Sequence, residues 1–123
     1  MPRSVLVYLA DITGACEAIA RFLAGVDYAA YRESELTRSA VERQLIVIGE
    51  AVNALLRLEP SLSARISHAR RIVDFRNQLA HDYSAVNHAV VWSIATSEVP
   101  VLRAECEAIL AERDAEGDAP SVR

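Results

Sequence analysis

Residues 5–23 read VLVYLADITGACEAIARFL, and this stretch decides the fold class. Apolar residues recur at every third or fourth position, which is the spacing of one buried stripe on an α-helix. The stripe consists of Val5, Leu9, Ile12, Cys16, Ile19 and Leu23. Gly25 follows closely, and glycine suits the left-handed position that commonly ends a helix. The sequence therefore predicts a first long helix that ends near Gly25.

A second long helix is predicted after a connector or short helix at residues 27–33. Ser34 can cap it, and Pro60 follows its end. Gly49 lies inside this helix at a cost of about 1 kcal/mol relative to alanine, so we expect a neighbouring helix to approach it closely. The apolar stripe consists of Val41, Leu45, Ile48, Val52 and Leu55.

Two further helices complete the pattern. The third is predicted from about Ser63 to the neighbourhood of His81, and the fourth begins after a cap at Ser84 or Asn87. Pro100 should kink the fourth helix, because proline removes a backbone hydrogen bond and clashes with the preceding turn. The inward residues of this helix are Val91, Ile94, Ala95, Leu102, Cys106 and Ile109.

These elements predict an all-α fold, specifically an antiparallel four-helix up-and-down bundle with a Pro-kinked last helix. The bundle is expected to form one domain over residues 1–115, followed by a flexible tail at 116–123.

No apolar run approaches the ~20 residues of a membrane-spanning helix, and no signal peptide is recognisable. Cys16 and Cys106 match neither a disulfide framework nor a thiol metal site, so we expect them buried in a protein of the cytoplasm.

A local cluster of arginines contrasts with the net charge of −4. The acidic balance argues against a surface coated in nucleic acid, but a basic element can still contact phosphate at one place. Arg65, Arg70 and Arg71 are therefore candidate RNA-binding residues, and a solvated helix face is the equally ordinary alternative.

Arg76 occupies a position where a bundle would ordinarily place an aliphatic residue. It continues a row of small or apolar residues, Ala69, Val73, Ala80 and Tyr83. An unpaired buried charge is costly, so the guanidinium needs a partner. Glu42 and Glu50 are possible partners in a purely structural ion pair.

His81 follows Arg76 by five residues, which on a regular helix is about 140° around the axis and about 7.5 Å along it. A single ideal helix therefore does not bring the two side chains together. Either the helix unwinds near His81, or a second copy of the chain completes the site. The small residues beside Arg76 favour the second alternative, a symmetric homodimer with two copies of the segment facing one cleft.

Arginine and histidine together suit cleavage of RNA without a metal or cofactor. The 2′-hydroxyl can attack the adjacent phosphate if an imidazole transfers the proton and a guanidinium stabilises the charge on the phosphoryl oxygens. Asn77 could orient the imidazole or bind phosphate. A metal–carboxylate bundle is disfavoured, because the sequence lacks a Glu-x-x-His pair.

The segment from Arg76 to Tyr83 resembles the R-x-x-x-x-H-x-Y motif of HEPN domains, specifically the HepT-like toxins. Further stretches that resemble this family are residues 8–12, 21–25, 40–45 and 48–51, together with Trp92 and residues 99–102. The resemblance covers about residues 5–110. Residues 65–72 depart from it, which leaves the substrate preference open between tRNA and mRNA.

The resemblance implies a homodimeric, metal-independent endoribonuclease toxin of a type VII toxin–antitoxin system. It implies that Arg76 and His81 are catalytic, with Asn77 and Asp82 in support. It also implies an MntA-type nucleotidyltransferase antitoxin that silences the toxin by transferring AMP from ATP to Tyr83. The alternative is a non-catalytic module that docks a nucleotidyltransferase or binds nucleotide.

Overall fold

The computed structural model describes residues 4–81 and 86–117, with side chains described as far as residue 114. Within these ranges the chain forms helices and turns and no strand, which confirms the all-α fold class. No helix in the described ranges combines the length and the apolar character needed to cross a membrane.

The first two helices begin at capped residues. Helix α1 (Val5–Leu23) begins after Ser4, whose side chain accepts a hydrogen bond from the backbone N–H of Val7. Its predicted stripe is buried at Leu9, Ile12, Cys16 and Ile19. Gly25 has a φ of 73°, which confirms the left-handed residue that the sequence predicts after α1. Helix α2 (Tyr28–Glu33) is capped by Asp27, so the connector contains a short helix.

Helix α3 (Glu35–Leu58) is the central helix and packs against both α1 and the later helix α4 (Ala69–His81). Ser34 accepts a hydrogen bond from the backbone N–H of Thr37 and confirms the predicted cap. The whole predicted stripe is buried, from Val41 to Leu55. Helix α3 therefore supplies the surface on which α4 lies.

The start of the third predicted helix is wrong. Residues Pro60–Ala64 form a 3₁₀ turn, and α4 begins only at Ala69. The physical reason is a contact with a residue later in the chain, because the Glu105 carboxylate accepts hydrogen bonds from the backbone N–H and the hydroxyl of Ser67. A backbone N–H that donates to Glu105 does not extend a helix in the usual pattern, so the chain turns before α4.

The last part of the chain contains a π-helical turn. Helix α5 (His88–Ser93) is capped by Asn87, which confirms one of the two predicted caps, whereas Ser84 lies outside the described residues. A π-helical turn at Ile94–Glu98 joins α5 to helix α6 (Val99–Gly117), in which Pro100 is the second residue. The π turn thus lies where proline interferes with regular helical hydrogen bonding.

The core lies between the long helices, because α1 packs against both α3 and α6. Helix α4 also packs against α3, and one side of α4 along its length is exposed. The antiparallel up-and-down order, the kink at Pro100 and the domain limits stay predictions. Helix α6 continues to Gly117, and the rest of the predicted tail lies outside the described residues.

Candidate functional site

Helix α4 carries the candidate site and has one buried side and one exposed side. Ala69, Ile72 and Leu79 are buried, which fixes the rotation of the helix about its axis. At about 100° per residue, Arg76 lies within the arc of these buried residues, between Ile72 and Ala69, whereas His81 lies on the opposite, exposed side. Asn77 and His81 are accordingly exposed, and Arg76 is partly buried.

The stem of Arg76 packs directly against Gly49 of α3. A Cβ added to Gly49 would lie 2.6 Å from Cγ of Arg76 and nearer still to its Cβ, which is closer than real Cβ contacts allow. The predicted close approach to Gly49 is therefore present, and the group that approaches is the side chain of Arg76. Burial of Gly49 and Ile72 keeps α3 and α4 together at this point.

The guanidinium of Arg76 has two polar partners. Its Nη2 lies 3.4 Å from Oε2 of Glu50, and its Nη1 donates a hydrogen bond of 2.6 Å to Oδ1 of Asn77. The side chain of Arg76 is 28% exposed and that of Glu50 is 54% exposed, so the pair lies at the surface. Its Nε is buried without a hydrogen-bond partner among the described residues.

Glu42, the other candidate partner, lies in a different environment. Desolvation by burial raises the pKa of the Glu42 carboxyl, while the charges of His88 and Arg38 act in the opposite direction. The buried Tyr31 is another neighbour. The pKa of its hydroxyl is raised mainly by burial and, to a smaller extent, by the charge of Glu42. Glu42 thus belongs to a cluster between α2, α3 and α5, and Glu50 is the acid that contacts Arg76.

His81 is the last residue of α4 and is exposed. The helix does not unwind before His81, so the regular helical offset of about 140° from Arg76 applies. Within one chain, the guanidinium of Arg76 and the imidazole of His81 therefore lie on different sides of α4. Asp82 and Tyr83 lie outside the described residues.

The three candidate RNA-binding arginines have different surroundings. Arg65 forms a two-point ion pair with Glu112 of α6, with N–O distances of 3.0 and 2.6 Å. Arg71 lies 3.2 Å from Glu98. Arg70 is exposed and makes no ion pair with any residue that the structure describes. Arg70 and Arg71 line a common groove of about 500 Å³, which also includes Phe75, Gln78 and Val90.

Glu98 is a charged residue of this region that the sequence patterns do not single out. It lies in the π-helical turn with a side chain only 10% exposed, and its Oε1 has no hydrogen-bond partner in the described part of the chain. A charged residue inside an apolar helical pattern was the available signal. Its ion pair with Arg71 explains why part of the arginine cluster is neutralised.

The two thiols fit a structural role. Cys16 and Cys106 are both buried, as the sequence predicts, and desolvation raises the pKa of each thiol to about 12. A thiol with this pKa stays protonated near neutral pH and is a poor nucleophile or metal ligand. Among residues 4–81 and 86–117, no group of three or more His, Cys, Asp or Glu side chains is placed to hold a metal ion.

Comparison with known proteins gives one family. The family described as ribonuclease HepT-like matches residues 12–109. A Thermococcus cleftensis protein provisionally named ribonuclease HepT is 32% identical over 111 residues, which cover 87% of this chain and 96% of the relative. A Methanocaldococcus jannaschii protein provisionally named as an RNase is 29% identical over 110 residues, which cover 88% of this chain and 92% of the relative. No solved structure gives a significant match.

Proposed function

The chain belongs to the ribonuclease HepT-like family, and from this premise we propose that it is a metal-independent endoribonuclease toxin. The observation that carries the proposal is helix α4, which orders the guanidinium of Arg76 and exposes the imidazole of His81 five residues later. The names of three relatives, including one from Caldanaerobacter subterraneus, support RNA as the substrate. The proposed substrate is tRNA or mRNA.

The reaction needs only groups that this segment carries. The 2′-oxygen of the RNA attacks the adjacent phosphorus, the bond to the 5′-oxygen breaks, and His81 transfers a proton during this exchange. Arg76 stabilises the negative charge that builds up on the phosphoryl oxygens. The products are a 2′,3′-cyclic phosphate and a 5′-hydroxyl. Asn77 supports Arg76 through the hydrogen bond at 2.6 Å.

The active site is proposed to be composite, with Arg76 and His81 supplied by two copies of the chain. The offset between the two side chains along α4 supports this arrangement, because one regular helix does not bring them to the same phosphate. Val73 is half-buried and Ala80 is exposed beside Arg76, so small side chains leave room for a second α4. A symmetric homodimer then places two copies of the segment around one cleft.

RNA binding is assigned to the arginines of the same helix. Arg70 and Arg71 are exposed at the groove beside Phe75 and Gln78, and they can neutralise phosphates that flank the scissile bond, Arg71 at the cost of its ion pair with Glu98. Arg65 is also proposed to contact RNA, at the cost of its ion pair with Glu112. Asp82 is proposed to support His81 from the next position in the sequence.

Cleavage should persist in excess chelator if no metal takes part in the reaction. We expect the same rate in EDTA as in Mg²⁺, and RNA fragments that end in a cyclic phosphate or its hydrolysis product. The measurement is gel analysis of end-labelled RNA, with phosphatase sensitivity of the 3′-end as the readout. Loss of all activity in EDTA and its return with Mg²⁺ would contradict the proposal.

Tyr83 is proposed as the point of regulation by an MntA-type nucleotidyltransferase in the cytoplasm. AMP transferred to its hydroxyl would add bulk and negative charge two residues from His81 and repel RNA phosphate. Intact-mass spectrometry after incubation with the partner and ATP should show a gain of one AMP in the wild type and none in Tyr83→Phe. Tyr31→Phe is the control, because Tyr31 is buried. An unmodified wild type that the partner still inhibits would mean that binding alone silences the toxin.

A further inference from the structure

Gly49 provides the space in which the stem of Arg76 lies. The two helices approach so closely that even one methyl group on Gly49 would overlap Cβ and Cγ of Arg76, and it would also approach the carbonyl oxygen of Ile72 to 3.4 Å. The overlapping atoms belong to the rigid base of the Arg76 side chain, so they cannot move aside by a rotation at its far end. The absence of a side chain at residue 49 therefore determines where Cβ and Cγ of Arg76 can lie.

Glu50 and Asn77 then restrict the far end of the same side chain. A guanidinium has five N–H hydrogens, one on Nε and two on each Nη. Nε of Arg76 is buried, the Glu50 carboxylate lies next to Nη2, and Asn77 accepts one hydrogen from Nη1. At least one hydrogen on each Nη is left for another acceptor, and two such hydrogens suit two oxygens of one phosphate.

We infer that Gly49 and Glu50 are positioning residues for Arg76. Gly49 admits the stem, and the Glu50 carboxylate holds the guanidinium at the angle at which its remaining Nη hydrogens face the RNA phosphate. This inference rests on the proposed ribonuclease function. Helix α3 would then contribute to catalysis through Gly49 and Glu50, in addition to the segment from Arg76 to Tyr83.

The exposure of the ion pair separates positioning from structural support. The side chain of Glu50 is 54% exposed, and ion pairs at such exposed sites add little to folding stability. Removal of the carboxylate should therefore leave the melting temperature unchanged and lower kcat. A misplaced catalytic group of this kind costs about 10- to 100-fold in rate.

The test is steady-state RNA cleavage by Glu50→Gln, with kcat and KM measured separately. We expect kcat to fall about 10- to 100-fold and KM to change by less than about 3-fold. Glu107→Gln is the matched control, because it removes a similarly exposed carboxylate from the ion pair with Arg103 on α6. In an Arg76→Lys background the same Glu50→Gln change should cost less than about 3-fold, since the geometry it controls is already lost.

Gly49→Ala provides a second route to the same result. We expect it to lower kcat at least as much as Glu50→Gln, because the added methyl group displaces the stem of Arg76. Wild-type kcat in Glu50→Gln would overturn the inference. So would an equal cost of Glu50→Gln in the Arg76→Lys background, or a melting temperature of the Glu50→Gln protein that falls in parallel with its kcat.

A readout independent of activity keeps this inference separate from the proposed function. The ¹⁵Nε resonance of Arg76 should shift in Glu50→Gln and stay in place in Glu107→Gln. If the wild-type protein cleaves no RNA but the Arg76 resonance still shifts in Glu50→Gln, the ribonuclease function is rejected and Glu50 is retained as the residue that orients Arg76. A resonance that does not move in Glu50→Gln would reject the positioning role itself.

Discussion

Replacement of His81 by alanine should lower the rate of RNA cleavage by ~10²–10⁴-fold, the usual contribution of a general acid or base. The imidazole is the proposed carrier of the proton between the RNA oxygens. His81 is exposed at the last residue of α4, so its removal opens no cavity in the core. Surface substitutions of this kind change the free energy of unfolding by about 0.5 kcal/mol or less. The rate loss should therefore occur in a protein with the wild-type melting temperature.

The matched control is His68→Ala. His68 is also exposed, lies just before α4 and has no part in the proposed chemistry. Single-turnover cleavage of a labelled RNA, with melting curves for both variants, provides the comparison. A well-folded His81→Ala protein that cleaves RNA at the wild-type rate would reject the enzyme assignment outright.

The helices follow from local sequence to the extent that their causes are local. The stripe of α1, the caps at Ser34 and Asn87 and the left-handed Gly25 were all predicted, because each depends on residues within one or two turns. The break before α4 was not. It depends on the hydrogen bonds between Ser67 and Glu105, and a contact across 38 positions leaves no periodic signal.

The candidate site shows the same division. The sequence predicts that Arg76 needs an acidic partner and proposes Glu42 or Glu50, which lie about 12 Å apart along one helix. The choice depends on how α3 and α4 are aligned, and Gly49 fixes that alignment through its contact with Arg76. The arginine cluster also separates in space, because Arg65 and Arg71 have acidic partners on later elements. The arginine cluster is therefore less positive in the structure than its spacing in the sequence suggests.

Replacement of Arg76 by alanine should lower the cleavage rate by ~10²–10³-fold, by analogy with the loss of one transition-state hydrogen-bond donor. The guanidinium supplies fixed positive charge and two directed hydrogen bonds to the phosphoryl oxygens. Arg76→Lys is the informative companion, since it keeps the charge and most of the stem but loses the planar donor pair. It should therefore retain stability and still lose most of the activity.

A purely structural Arg76 gives a different set of results. If the ion pair with Glu50 only stabilises the fold, Arg76→Ala and Glu50→Ala should lower the melting temperature by the same amount and lower activity only as the folded fraction falls. The partial exposure of both side chains argues against this outcome, because such pairs contribute about 1 kcal/mol or less. Chemical denaturation of both variants, measured beside their kcat, distinguishes the two roles.

The Arg76→Ala and His81→Ala proteins can finally be combined to test where the site is built. Each homodimer lacks one catalytic group at every site, whereas a mixed dimer has one intact site if Arg76 and His81 come from different copies. Mixing should therefore restore a substantial part of wild-type cleavage, in a species of about twice 13.5 kDa by sedimentation. A mixture that stays inactive although the subunits exchange would place both groups in one chain. A wild-type monomer that cleaves RNA would exclude the shared cleft, and α4 would then have to unwind between Arg76 and His81 on binding RNA to bring the two side chains to one phosphate.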